Sequence, residues 1–145
     1  MKIRSRIFAF IIASSLLACN SQKAAKSATA ADPSLKLNGT WELNYISGPR
    51  IAFGGLYPDK KPQLTFNLPG TEATGNSSCN GFGCKFTINA SQITFGDPIG
   101  TMMACEGEGE QTFYKTLKQV NFFNVSDSIL TLSNNETPLM RFLRK

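Results

Sequence analysis

The chain has 145 residues, with 15 Lys and Arg against 10 Asp and Glu and a formal net charge of +5. It contains no histidine, which excludes Ser-His-Asp and Cys-His nucleophile systems, HExxH zinc sites and most other His-bearing metal centres. No Lys/Arg run stands out as a nucleic-acid patch, so no nucleic-acid partner is expected, and no grouping of side chains reads as catalytic.

The amino end is organised around Cys19. Lys2, Arg4 and Arg6 precede an apolar run from Ile7 to Leu17, and Leu16-Leu17-Ala18 leads into the cysteine. The run is about half the roughly 20 residues a membrane span requires, but it suits the h-region of a signal peptide. A small residue directly before a cysteine is the pattern of a bacterial lipoprotein signal: residues 1–18 are expected to be removed and lipid (palmitate) placed on Cys19. The alternative is an ordinary secretory signal with a chance cysteine. Two or more acyl chains make a lasting anchor at about 0.8 kcal/mol per buried methylene, so the membrane is an expected partner through Cys19. Without the aspartate that retains lipoproteins at the inner membrane, the expected location is the cell envelope, lipid-anchored, at the outer membrane. Cleavage takes three positive charges with it, which leaves 12 basic residues against 10 acidic ones.

Residues 19–36 are predicted to be a lipidated flexible tether. They are small, polar and Ala/Ser-rich, and as a coil would reach on the order of 20–25 Å. From Leu37 the pattern changes to period two. Trp41, Leu43 and Tyr45 alternate with Thr40, Glu42 and Asn44, which predicts a strand with Trp41 in the core. Gly48 to Pro62 reads as loop. Leu64, Phe66 and Leu68 predict a second strand, ended by Pro69-Gly70. Glu72 to Asn76 predicts a weaker strand with a bulge at Gly75. Asn80-Gly81-Phe82-Gly83 reads as a tight turn. Phe86 with Ile88, and Ile93 with Phe95, predict two strands across a turn near Ala90-Ser91, and Asp97-Pro98 ends the second.

One helix is expected from about Glu108 to Val120, with Phe113, Leu117 and Val120 on one stripe and acids at its amino end. Strands resume at Phe123 and Val125, then at Leu130 and Leu132 after Asp127-Ser128. A last strand places Met140 and Phe142 on one face and Leu139 and Leu143 on the other. Arg144-Lys145 reads as a solvated tail. Five Asn-x-Ser/Thr triplets, at Asn38, Asn76, Asn89, Asn124 and Asn135, read as turn and strand-edge composition. The sum is a mainly β (α+β) single small domain over residues 37–145. Its expected form is a half-open antiparallel β-barrel of about eight strands, with the helix over the gap or one end.

With Cys19 lipidated, Cys79, Cys84 and Cys105 remain, in a compartment that permits disulfides. Three thiols form one bridge and leave one over. Cys79–Cys84 would be worth about 2 kcal/mol and Cys79–Cys105 roughly 3.5 kcal/mol by chain entropy, and neither they nor Cys84–Cys105 can be chosen on energy alone. Glu106-Gly107-Glu108-Gly109-Glu110 lacks the acidic spacing of a calcium loop and reads as acids at a helix start. No metal or cofactor is expected. Phe53, Tyr57 and Phe82 sit in segments read as loop, where apolar rings suggest the mouth of a ligand site. Met102-Met103 is expected to fill gaps in the core.

Several segments together resemble the META domain, the HslJ-type family. Leu37-Asn38-Gly39-Thr40-Trp41-Glu42-Leu43 is similar to that family's opening strand, Gly75-Asn76-Ser77-Ser78-Cys79-Asn80 to its G-x-x-G-C-N segment, and Thr101-Met102-Met103-Ala104-Cys105 to its T-x-M-A-C segment. Ser78 stands where the family has glycine, and Cys84 lies outside the usual motif. The resemblance implies a β-rich barrel-like fold and a disulfide between Cys79 and Cys105. It also implies an exported or lipid-anchored protein of the kind associated with heat or antibiotic stress, and no established reaction. The leading expectation is a non-enzymatic envelope lipoprotein that contacts another envelope component. The alternatives are a carrier for a small apolar ligand in a half-open barrel and, more remotely, a thiol-redox or carboxylate hydrolase enzyme.

Overall fold

A computed structural model describes residues 33–145; the signal segment, Cys19 and most of the tether lie outside the described residues. Nine strands form one sheet: β1 Gly39–Ile46, β2 Gln63–Phe66, β3 Glu72–Asn76, β4 Gly81–Asn89, β5 Gln92–Phe95, β6 Ile99–Gly100, β7 Phe122–Ser126, β8 Ile129–Asn134 and β9 Thr137–Arg144. Eight of them follow one another antiparallel round a ring, β1-β2-β3-β4-β5-β7-β8-β9, and β9 returns to β1. The two-residue β6 pairs with the start of β4 beside β5. The expected mainly β single domain of eight barrel strands is therefore borne out, with β6 as an addition. The expected gap is reduced to a thin seam between β5 and β7. Gln92 opposite Phe122 is its register pair, flanked by Ile93 N–H to Asn121 O at 3.1 Å and Phe123 N–H to Ser91 O at 2.9 Å.

Alternation puts one side chain in two inside the ring. Trp41, Leu43, Leu64, Phe66, Leu130, Leu132, Met140 and Phe142 are all fully buried. Two bulges shift the phase. The first lies between Leu43 and Tyr45, so Tyr45 turns outward, where the Arg141 guanidinium lies 4.6 Å from its ring, and Ile46 takes the inner place. A bulge inserts one residue and moves every later side chain to the other face. The second lies between Leu132 and Ser133, and Leu139 joins Met140 in the interior. The bulge expected at Gly75 is absent: β3 keeps unbroken register with β2 and β4. Glycine is needed there because a Cβ would overlap the carbonyl oxygen of Gln63.

The long connection from β5 to β7 carries β6 and α2, Gly109–Leu117. The helix lies across the end where β1 finishes and β9 begins. Phe113, Leu117 and Val120 are buried, as their spacing predicts. The segment read as loop after β1 contains a short helix, α1, Phe53–Leu56. Tyr57 follows it and donates its hydroxyl to Gly109 O at 3.0 Å. A Cβ on Gly109 would lie 2.9 Å from the Tyr57 ring, so only glycine lets the two helices approach this closely.

The opposite end is plugged by a 3-10 helix, Pro33–Leu37, so residues 33–36, expected in the flexible tether, take part in a regular element. Leu37 is fully buried, and its carbonyl accepts the Trp41 indole N–H at 2.7 Å. Arg144 is not a solvated tail. It stacks 4.1 Å over the Trp41 ring and donates to the carbonyls of Lys36 and Asn38 at 2.6 and 2.7 Å. Lys145 bonds the Glu42 carboxylate at 3.0 Å.

Candidate functional site

The turn between β3 and β4 is Ser77–Asn80, earlier than the Asn80–Gly83 turn expected, and Phe82 and Gly83 are strand residues. Ser78 holds φ at +94°. That left-handed conformation suits glycine, which explains why the related motif carries glycine at this place. The last residue of the turn, Asn80, is almost completely buried.

The Asn80 amide organises the segment after β6. Its oxygen accepts from Thr101 Oγ1 at 2.7 Å and from Met103 N–H at 2.9 Å. Its nitrogen donates to Met103 O at 3.1 Å and to Glu110 Oε2 at 3.0 Å, and the Cys105 sulfur lies 3.1 Å from the same nitrogen. The two amide protons thus have two oxygens to serve. Ser77, fully buried, donates its hydroxyl to Glu110 Oε1 at 2.5 Å and accepts Asn80 N–H at 3.3 Å. Thr101 N–H closes on Gly81 O at 3.0 Å. Cys79 and Cys105 are joined by a disulfide, with a Cα–Cα distance of 6.0 Å, the pairing that the family resemblance implies. The other cysteine among the described residues, Cys84, is buried in β4. Burial, with help from the nearby Glu72 charge, pushes its thiol up to about 11, so it is not an activated nucleophile.

With its main chain turned inward onto Asn80, the segment turns its side chains out. Ile99 is 82% exposed, Met102 97% and Met103 59%. The expectation that the two methionines fill the core is therefore wrong: the amide network and disulfide, not apolar packing, hold this stretch. An open groove of about 670 Å³ runs along it, lined by Pro98, Ile99, Met102, Met103, Glu110 and Tyr114 among others. Burial, and then the Glu110 carboxylate, raise the Tyr114 hydroxyl above its ordinary value, although a hydrogen bond with Ser77 works the other way.

The aromatics expected to line a ligand mouth do not form one. Tyr57 and Phe82 are core residues, and Phe53 is half-buried with its ring 5.2 Å from that of Tyr57. Phe82 packs on Phe113 and Tyr114 at 5.6 and 5.3 Å. Phe53 opens α1, Tyr57 caps its end and Phe82 lies on the inward face of β4, and this accounts for the rings. Among the described residues, Cys79, Cys105 and Glu110 have potential metal-ligating atoms within 4.8 Å of one another. The two sulfurs are bonded to each other, so neither is the thiolate that a metal requires. Asn80 and Glu110 escaped the sequence reading as site residues, since neither belongs to a periodic stripe. The signal available was Asn80 directly after a motif cysteine.

The same barrel occurs in distant proteins. A Burkholderia xenovorans protein solved by NMR is 18% identical with a TM-score of 0.61, the alignment covering 99% of each chain. A crystal structure of a DUF4847 family protein from Bacteroides vulgatus is 13% identical with a TM-score of 0.54, covering 77% of this chain and 96% of that one. At these identities the likeness speaks for fold alone. Comparison with curated proteins finds no match. The META domain family model matches residues 33–145, the barrel with both of its cysteine motifs, and the chain belongs to the META domain family.

Proposed function

We propose that this chain is a non-enzymatic, lipid-anchored protein of the bacterial cell envelope, held by Cys19 and acting by contact with another envelope component. The observation that carries the contact reading is the exposure of Ile99, Met102 and Met103 on a main chain already fixed by Asn80 and the disulfide. Exposed apolar side chains on a pre-ordered backbone suit association, because little ordering entropy remains to be lost. The anchor reading rests on Leu16-Leu17-Ala18-Cys19, and the disulfide favours an oxidising compartment.

The anchor is tested by metabolic labelling with an alkyne fatty acid and by cell fractionation. Label on the wild type in the membrane fraction, lost in Cys19→Ala, is expected; an unlabelled wild-type protein would overturn it. The contact is tested with a photo-crosslinking residue at position 102 in intact cells. One discrete adduct, absent when the crosslinker sits at Arg141 in β9, on the opposite wall of the ring, is expected. No adduct, or the same adducts from both positions, would overturn it. The carrier reading draws less support, since the barrel interior is filled by Trp41, Phe66, Phe113 and Phe142.

A further inference from the structure

The groove beside Met102 and Met103 contains one charged side chain that its neighbours do not neutralise. Glu110 binds the Ser77 hydroxyl and the Asn80 amide, both neutral donors. The ion pairs of the described residues use Glu42 and Asp97 instead. Its carboxylate is half-buried and lines a groove whose other walls include Ile99, Met102, Met103 and the ring of Tyr114. In such a setting a negative charge is less screened than in open water.

These walls discriminate between ligand chemistries. A purely apolar segment would cover Glu110 and leave its charge desolvated with no counter-charge, which is costly. A small hydrated cation would gain nothing from the methionines. A long cationic side chain satisfies both, with its aliphatic stem along the thioethers and its head on the carboxylate. The guanidinium suits this better than an ammonium: it is more weakly hydrated, forms a planar fork for a carboxylate, and stacks on an aromatic face such as that of Tyr114.

We propose that this groove takes the arginine side chain of a partner polypeptide, with Glu110 as its counter-charge and Ile99, Met102 and Met103 covering the apolar residues that flank it. This rests on the contact reading above and names the chemistry of the partner.

The test is NMR titration of the oxidised protein with the peptide acetyl-Ala-Leu-Arg-Leu-Ala-amide, and with the same peptide carrying citrulline, the neutral isostere. Saturable shifts confined to residues 99–114 are expected, with the arginine peptide binding about tenfold more tightly than the citrulline one. Glu110→Gln should erase that preference. Met102→Ser, at a site too exposed to affect folding, should weaken both peptides alike. Equal binding of the two peptides, shifts elsewhere on the barrel, or no saturable binding of the arginine peptide at millimolar concentration would overturn the proposal. If the position-102 adduct still forms in cells after such a result, the contact reading stands and only the arginine chemistry falls. If the adduct is also missing, both fall.

Discussion

Replacing Asn80 with alanine should destabilise the protein by about 2–3 kcal/mol. The side chain makes four hydrogen bonds, to Thr101 Oγ1, Met103 N–H, Met103 O and Glu110 Oε2, at 2.7 to 3.1 Å. Each is worth about 0.5–1.5 kcal/mol net, the one to the carboxylate somewhat more, which sums to about 4 kcal/mol. The residues that lose a partner lie in an exposed segment, so water restores part of this. For a folded body of this size the loss corresponds to a melting-temperature drop of roughly 8–12 °C. Urea denaturation followed by circular dichroism measures it, with an unchanged slope expected because the core is untouched. Asn80→Asp supplies the control. It keeps the acceptor but sets a second carboxylate where the amide nitrogen lies 3.0 Å from Glu110 Oε2. Repulsion raises the folded-state pKa of the new aspartate above its unfolded value, so its penalty is present at neutral pH and relieved as the pH falls through the raised value. A cost below about 1 kcal/mol for Asn80→Ala would refute the reasoning, because the segment would then be standing without its main support.

Other outcomes follow from the same geometry. Replacing Cys79 and Cys105 by serine together opens a cross-link of sequence separation 26 and should cost about 3.5 kcal/mol by chain entropy, read from urea midpoints against the oxidised wild type. Ser78→Gly should stabilise by about 0.5–1 kcal/mol, since relief of the positive φ outweighs the added freedom of the unfolded chain; a lower melting temperature would contradict that reading. Cys84 should resist iodoacetamide in the native protein at pH 8 and react once urea unfolds it, as mass spectrometry would record. Glu42 is held below its usual range chiefly by the Lys145 hydrogen bond. Its contribution is present above the unfolded pKa and lost as the pH falls through the folded one. Glu42→Gln should therefore cost at most about 1 kcal/mol at neutral pH, as befits a surface pair, and nothing once the wild-type carboxyl is protonated.

The barrel was legible where burial follows a strict period. Trp41 with Leu43, Leu64 with Phe66, Leu130 with Leu132, and the Phe113, Leu117, Val120 stripe all fall where spacing places them. Bulges defeat that reading, because a single inserted residue inverts the phase; Tyr45 and Leu139 were misplaced for this reason. Tyr57 follows a four-residue helix too short to show a period, and Phe82 reads as turn because Gly81 and Gly83 flank it, although with Cys84 and Phe86 it opens the inward alternation of β4. The methionines mark the deeper limit. Their direction is set by a side chain more than twenty residues earlier in sequence, Asn80, which turns the backbone inward through hydrogen bonds that no local pattern records. The disulfide was reached only through resemblance, since three thiols left the pairing open on energy.

The support of the exposed segment is tested most directly by amide hydrogen exchange in the oxidised wild-type protein, resolved residue by residue across Thr101–Cys105. The Thr101 and Met103 amides, bonded to Gly81 O and Asn80 Oδ1, should exchange far more slowly than the freely exchanging amide expected at such an exposed site. The protection at Met103 should vanish in Asn80→Ala. Exchange of both amides at unprotected rates in the wild type would show that the methionines ride on a loose loop, and would contradict the pre-ordered surface on which the proposed contact depends.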